Sequence, residues 1–396
     1  LKSLFIKTEE QRKWLEKLAS LKEEFKNNAQ QIDEQSVFPH EHIQKLREIG
    51  YTKITLPKEL GGEGFSVYDA ILIQETLASY DGSTALSIGW TVLTVGELFE
   101  NKYWEPVKLE NFAKAVEKGA IINRAVSEAA TGSPIRGGRP GTTAKRNGDK
   151  WVITGRKSYT TGLPELDYFL TSAWIEEEEK IGFFLIHKDT PGITIEETWD
   201  VIAMRGTGSH DFVLSEVQLE ESDLVEVPNY TTGFKLNGWL LVIPATYLGI
   251  AQAARDYAIQ FANTHSPNSI QGTIASLPNV QALLGEIELE LAKARFALYG
   301  AAQSYVDLKN REQNGRTLTV AEGEVIVNAV NVAKHTVTNA AITVVDKAMR
   351  VVGAKSLQRT NPLQRYYRDV RAGLHNPPMD DLTIKKLAEL VLKQND

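Results

Sequence analysis

The chain has 396 residues, 42% hydrophobic and 24% charged, an ordinary globular composition with length for two or three domains. Its net charge of -7 comes with 44 basic residues and no long basic run, which argues against nucleic acid as a partner. Cysteine is absent, which excludes disulfides, thiolate–metal sites, iron–sulfur clusters and thiol catalysis, and points to a cytoplasmic setting. The seven His are scattered without a metal-ligand spacing, so no metal is expected. No apolar run reaches the roughly 18 residues of a membrane span. Leu1-Lys2-Ser3-Leu4-Phe5 meets a charge too early for a signal peptide.

Residues 8–118 read as helical. Gln11–Gln35 is charged and periodic, and Pro39–Ile49 continues to a C-cap signal at Gly50. Pro57–Phe65 is a Gly-rich loop, after which Ser66 is placed to cap a mostly apolar helix that runs through Leu77 and continues toward Leu86. Short β-rich runs then follow: 151–154, 168–171, 182–186, 192–195 and 211–214. Asn147-Gly148 marks a hairpin, and Glu176–Glu179 a solvated hairpin tip. After Pro228 the helical period returns over about 233–264, 277–310, 320–352 and 380–393, which reads as an antiparallel four-helix bundle. The predicted domains are therefore 1–120 (α-helical), 121–227 (β) and 228–396 (four-helix bundle). The fold class is mainly α with a central, barrel-like β domain.

Four motifs in this order resemble the acyl-CoA dehydrogenase superfamily. Ala125-Val126-Ser127-Glu128-Ala129-Ala130-Thr131-Gly132-Ser133-Pro134 is similar to its first signature, with Thr131 at a small-residue position and Pro134 at an Asp. Extended backbone there can satisfy the polar edge of a flavin, and Gly132 lets the chain come close. Lys157-Ser158-Tyr159-Thr160-Thr161-Gly162 is similar to the strand that meets the flavin ring. Met204-Arg205-Gly206-Thr207-Gly208-Ser209 resembles the third, in the form found in the flavin-dependent monooxygenase branch of hydroxylases and sulfur-oxidising enzymes. The fourth is Tyr367-Arg368-Asp369, which in the family precedes a catalytic Glu eight residues after the Asp. Taken singly, these segments also read as a polar loop, a Thr-rich strand face, a Gly turn and a turn histidine.

The resemblance implies flavin held by Val126, Ser127, Gly132, Ser133, Tyr159, Thr160, Thr161, Gly353 and Ala354. It places Thr161 as a hydroxyl donor at flavin N5. The acyl-CoA base is missing from both places where the family puts it, since one position is Pro377 and the other is Trp239. Leu240 replaces an ester-binding Arg, and Gln260–Thr264 lacks the Arg that meets the FAD diphosphate across a subunit interface. The cofactor is thus expected to be FAD or FMN, with a tilt toward FMN. Gly353-Ala354-Lys355-Ser356, Pro362–Arg365, Arg368–Arg371 and His375 fit the monooxygenase branch, which reacts reduced flavin with O2 through a C4a-(hydro)peroxyflavin. His375 and Thr161 are then the catalytic candidates.

Two alternatives stand beside this reading. One is an acyl-CoA dehydrogenase with a displaced base at Glu128 or Asp380. The other is a non-catalytic flavin-binding scaffold. Asp380-Asp381 also read as a helix cap, His40 and His42 as solvent or core residues, and Trp90 and Trp239 as core or substrate-pocket aromatics. The expected partners are a small-molecule substrate, a flavin reductase or electron-transfer flavoprotein, and further copies of the chain in a homotetramer or homodimer.

Overall fold

A computed structural model describes residues 1–130, 138–228 and 237–393. Six helices come first: α1 (Glu9–Ala19), α2 (Lys22–Gln35), α3 (His40–Glu48), α4 (Val67–Ala78), α5 (Gly82–Asn101) and α6 (Pro106–Glu117). Local chemistry sets their ends. Ser66 caps α4 in a capping box with Asp69, and the Asp81 carboxylate caps α5 by accepting from the Thr84 N–H at 3.0 Å. The chain leaves α3 through Gly50 at φ 82, as the C-cap reading requires. α4 is buried nearly all round, in keeping with its apolar sequence.

The strands are β1 (Ile122–Ala125), β2 (Thr143–Asn147), β3 (Lys150–Lys157), β4 (Tyr168–Ile175), β5 (Lys180–His187), β6 (Ile193–Glu196), β7 (Asp211–Glu220) and β8 (Leu224–Glu226). They form one sheet in the order β6-β7-β3-β2-β4-β5-β8, with β1 also on β4. Asn147-Gly148 turns β2 into antiparallel β3, and Glu176–Glu179 turns β4 into β5. β1 and β2 both run parallel to β4, β1 along Tyr168–Thr171 and β2 along Trp174–Ile175. They share one edge of β4, and a segment of chain lies between them in sequence. That segment carries the first signature.

The last helices are α7 (Val242–Thr264), α8 (Pro278–Gln313), α9 (Val320–Val352), α10 (Pro362–Asp369) and α11 (Asp380–Lys393). α7, α8 and α9 pack on one another, α11 lies on α9, and α7 also packs against α4 and α5. Buried Ala294, Ala301 and Ala302 let α8 come close to its neighbours. α7 starts later than its periodicity suggests, after a 3-10 turn at Gly238–Leu241. α10 falls on the Pro362 segment, where no helix was assigned from sequence; Pro362 takes its first turn and the Asn361 side chain caps it. One apolar core runs through all three regions, from Trp14 and Phe25 through Phe169 and Phe212 to Leu298 and Val344. Among the described residues no helix is long and apolar enough to cross a membrane.

Candidate active site

The Thr160–Gly162 loop follows β3 and is zipped onto the segment before β7. The Thr160 N–H donates to His210 O at 3.1 Å, and the Gly162 N–H to Thr207 O at 2.9 Å. Gly206 lies against α2 and α5, where a Cβ would come within 2.4 Å of Ile32 Cγ2, so only glycine lets this turn sit so low. A buried row of hydroxyls results: Thr161 Oγ1 to Ser209 Oγ at 2.9 Å, Ser209 Oγ to Thr207 Oγ1 at 2.8 Å, and Thr207 Oγ1 to Met204 O at 2.9 Å. Its last member fixes the proton order. A carbonyl only accepts, so Thr207 gives its proton to Met204 O. Ser209 must then donate to Thr207, and Thr161 to Ser209. Thr161 Oγ1 is left presenting lone pairs, not the donor that the motif implies.

α5 lines this loop. A Cβ on Gly162 would lie 3.3 Å from Ser87 O, and one on Gly206 would lie 3.1 Å from Ser83 Cβ. One and two turns further along the same face come Trp90 and Thr94. Thr91 is held to β1 by accepting the Ile122 N–H and donating to Ile122 O. Asn123 Nδ2 donates to Thr161 O at 2.9 Å. Around this junction, Trp90 Nε1, Thr94 Oγ1, Asn123 Oδ1 and Thr160 Oγ1 are buried without a hydrogen-bond partner. Buried polar atoms are rarely left so, and four near one loop call for a ligand or water. Donors and an acceptor together suit the polar edge of a flavin or of a small organic molecule. Asn123 and Thr94 were not singled out from sequence, and Ser209 stood in the third signature without a partner, because their neighbours come from distant parts of the chain.

The first signature starts beside this loop: the Ser158 N–H donates to Ser127 O at 2.9 Å. Val126 and Ser127 are half-buried there, while Gly132 and Ser133 lie outside the described residues. Glu128 is not a free base. Its carboxylate takes Lys157 Nζ at 2.6 Å, Thr142 Oγ1 at 2.7 Å, and the backbone N–H groups of Gly141 and Thr142 at 2.6 and 3.2 Å. Burial pushes this carboxyl up, but the Lys157 charge and these hydrogen bonds outweigh it and hold it below the usual range. Lys157 is fully buried and also reaches Ser172, so this pair closes the base of the loop. Tyr159 is 68% exposed at φ 57 and meets Trp199 edge-on. A flat aromatic is thereby offered at the surface beside Thr160 and Thr161.

Tyr367-Arg368-Asp369 ends α10 as a staple. Arg368 forks onto Asp33 of α2 and donates to Ile202 O. Asp369 is buried and accepts the Met204 N–H at 2.6 Å, holding the residue whose carbonyl ends the hydroxyl row. Burial drives its carboxyl up to about 7, against the pull of the Met204 N–H and the Arg365 charge. Beyond it, Asn376 accepts from the buried Tyr247 hydroxyl, and Gly373 packs on the Tyr247 ring. His375 is exposed, and its ring makes no hydrogen bond among the described residues. Gly353 and Ala354 are exposed at the end of α9, Gly353 at φ 70 with open space around it. No described contact brings His375, Gly353 or Ala354 to Thr161 within one chain.

The remaining candidates resolve into structural roles. Asp380 takes Asn339 Nδ2 at 2.9 Å and Lys334 Nζ at 3.4 Å, tying α11 to α9. His42 is buried, stacked on Phe25 and bonded to Thr84, while His40 pairs with Glu165. Trp239 turns away from the hydroxyl row and lies on Gly96 of α5, where a Cβ would sit 2.5 Å from its ring. Among the described residues no group of His, Asp and Glu could hold a metal.

Comparisons with known proteins agree with this architecture. The acyl-CoA dehydrogenase N-terminal, middle and C-terminal domains match residues 8–100, 123–217 and 241–376. A Bacillus subtilis (strain 168) protein named "Putative acyl-CoA dehydrogenase YdbM" is 57% identical over 98% of both chains. FMN-bound TdsC from Paenibacillus sp. A11-2 superposes with a TM-score of 0.85 at 22% identity, over 96% of this chain and 98% of that one. Butyryl-CoA dehydrogenase from Megasphaera elsdenii superposes with a TM-score of 0.84 at 20% identity, over 98% and 99%. With its domains matched in order and a relative this similar over nearly its whole length, the chain belongs to the acyl-CoA dehydrogenase family.

Proposed function

We propose that this protein is a flavin-dependent oxidoreductase of the monooxygenase type, using reduced flavin and O2 on a small organic substrate. The observation that carries the reading is the lack of a free carboxylate where acyl-CoA chemistry needs one. Pro377 and Trp239 stand at the two base positions, Glu128 is locked to Lys157, and Asp380 is spent on α9. An α-proton therefore has no acceptor among these residues. Names among the structural neighbours fit both chemistries, since FMN-bound TdsC and butyryl-CoA dehydrogenase share the fold.

Bound reduced flavin would supply the electrons that activate O2. The chain's own part is to hold and orient. Ser127, Tyr159, Thr160 and Asn123 would meet the flavin, with Gly132 and Ser133 completing the first signature. Thr161, with its proton turned inward, offers an acceptor. That polarity favours a reduced flavin, which carries N–H at N5, over an oxidised one, which does not. His375 offers a ring with donor and acceptor nitrogens for proton transfer to substrate oxygen. Gly353 and Ala354 would reach a flavin across a subunit boundary, in a homodimer or homotetramer, with a flavin reductase supplying reduced cofactor.

The test is the midpoint potential of bound FMN. One extra hydrogen bond to the reduced form gives about tenfold tighter binding, which raises a two-electron potential by about 30 mV. A potential equal to or below that of free FMN would contradict the Thr161 assignment. The name of the 57% identical relative favours the second reading, α,β-dehydrogenation of an acyl-CoA. Anaerobic butyryl-CoA should leave the oxidised flavin spectrum unchanged; bleaching would reinstate the dehydrogenase.

A further inference from the structure

A cleft of about 750 Å³ opens between the Pro57–Val67 loop, the C-terminal end of α5 and the last turns of α8. That is the size of a small-molecule site. It does not belong to the Thr161 site. Its floor residue Glu100 lies 13 residues beyond Ser87 on α5, roughly 20 Å along the helix axis. It also faces the other way, toward Trp239 rather than toward the sheet.

The floor is aromatic and donor-rich. Phe65, Phe99 and Trp239 line it with rings, of which Trp239 is only 3% exposed. The Trp239 indole N–H is buried without a hydrogen-bond partner. It lies close enough to Glu100 to favour the carboxylate but does not reach bonding geometry. Glu100 Oε2 accepts the Tyr305 hydroxyl. Burial pushes the Glu100 carboxyl up, against the Tyr305 hydrogen bond and the Lys309 charge. In its neutral form it is a second donor beside the indole. At the mouth, Lys309 is paired with Glu312 at 2.7 Å, and Lys58 and Lys102 stand with Glu59, so the rim holds both signs.

We propose that this cleft is a second ligand site, separate from the flavin site, for an uncharged aromatic molecule bearing a hydrogen-bond acceptor such as a carbonyl. The rings hold the flat body, and Trp239 Nε1–H with Glu100 takes the acceptor. An anion would meet a floor that turns negative as Glu100 ionises, and a hydrocarbon would leave the indole N–H unpaired.

The experiment uses the full chain, flavin-free and FMN-loaded, with acetophenone as probe and ethylbenzene and benzoate as comparators, read by saturation-transfer NMR. Acetophenone should bind at least tenfold more tightly than either comparator, with and without FMN. Trp239→Phe should weaken it about tenfold. Its affinity should fall as rising pH ionises Glu100, and Glu100→Gln, whose amide still donates, should keep the binding and remove that fall. Tyr305, Lys58, Glu59, Lys102, Lys309 and Glu312 also face the cleft, and the Gln variant separates Glu100 from them. If Trp239→Phe does not fold, the pH arm decides. Non-saturable binding, equal binding of ethylbenzene, displacement by FMN, or a pH profile unchanged in Glu100→Gln would each overturn the proposal.

Discussion

Replacing Asp369 by Asn tests the staple beneath the hydroxyl row. Asn keeps an oxygen for the Met204 N–H, bonded at 2.6 Å, and removes the titration. In the folded chain this carboxyl rises from its ordinary 3.8 to about 7, chiefly through complete burial. A group whose pKa is raised on folding lends stability in full below its unfolded value, and that stability is lost as pH rises through the folded one. The window is therefore about pH 4 to 7. The gap of about three pH units corresponds to roughly 4 kcal/mol. For a chain of 396 residues, unfolding entropy near 2 cal/mol/K per residue converts this to about 5 °C in Tm. Differential scanning calorimetry from pH 3.5 to 8.5 should show wild type losing this increment relative to Asp369→Asn, with the variant ahead at pH 8. Parallel Tm curves across the range would refute the reasoning. So would a variant less stable at every pH, because Asp369 would then be ionised and held by Arg365 and Arg368 throughout.

Other outcomes follow from buried contacts. Arg295→Met breaks the buried pair that Arg295 makes with Glu75 at 2.8 Å, leaving Tyr299 at 2.6 Å and Lys2 at 4.0 Å, and should cost about 3 kcal/mol in denaturant unfolding. Gly96→Ala drives a methyl to 2.5 Å from the Trp239 ring and should cost about 1–3 kcal/mol, with a shifted tryptophan emission. An unchanged emission would mean that the ring does not lie on α5. Thr207→Val removes the group that orders the protons toward Met204 O, so the preference for reduced over oxidised FMN should fall about tenfold while oxidised FMN still binds. Equal loss of both forms would assign Thr207 to packing alone.

Much of the frame was legible because it is local. Ser66 and Asp69 cap within three residues, Asn147-Gly148 turns its own hairpin, and the 320–352 period meets no break before Gly353. Thr160, Thr161 and Thr207, which the fold brings together, were legible for the same reason, since they sit in short signatures. What escaped was pairing at long range. Glu128 and Lys157 each stood in a motif, but only folding joins them, and that union withdraws Glu128 as a base. The reversed polarity of Thr161 depends on Ser209 and on a backbone carbonyl at Met204. Asn123 gained meaning only as a buried atom without a partner, a property of packing that spacing does not encode. The exposed positions of His375 and Gly353 likewise follow from how α9 and α10 end.

The proposed reaction of bound reduced flavin with oxygen is read by rapid mixing. Protein loaded with reduced FMN is mixed with oxygenated buffer, and the flavin spectrum is followed to full oxidation. A transient species distinct from both end states should appear, shorter-lived when His375 is replaced by Ala. Direct passage from reduced to oxidised flavin, at the rate of free reduced FMN and with no transient in wild type, would contradict it.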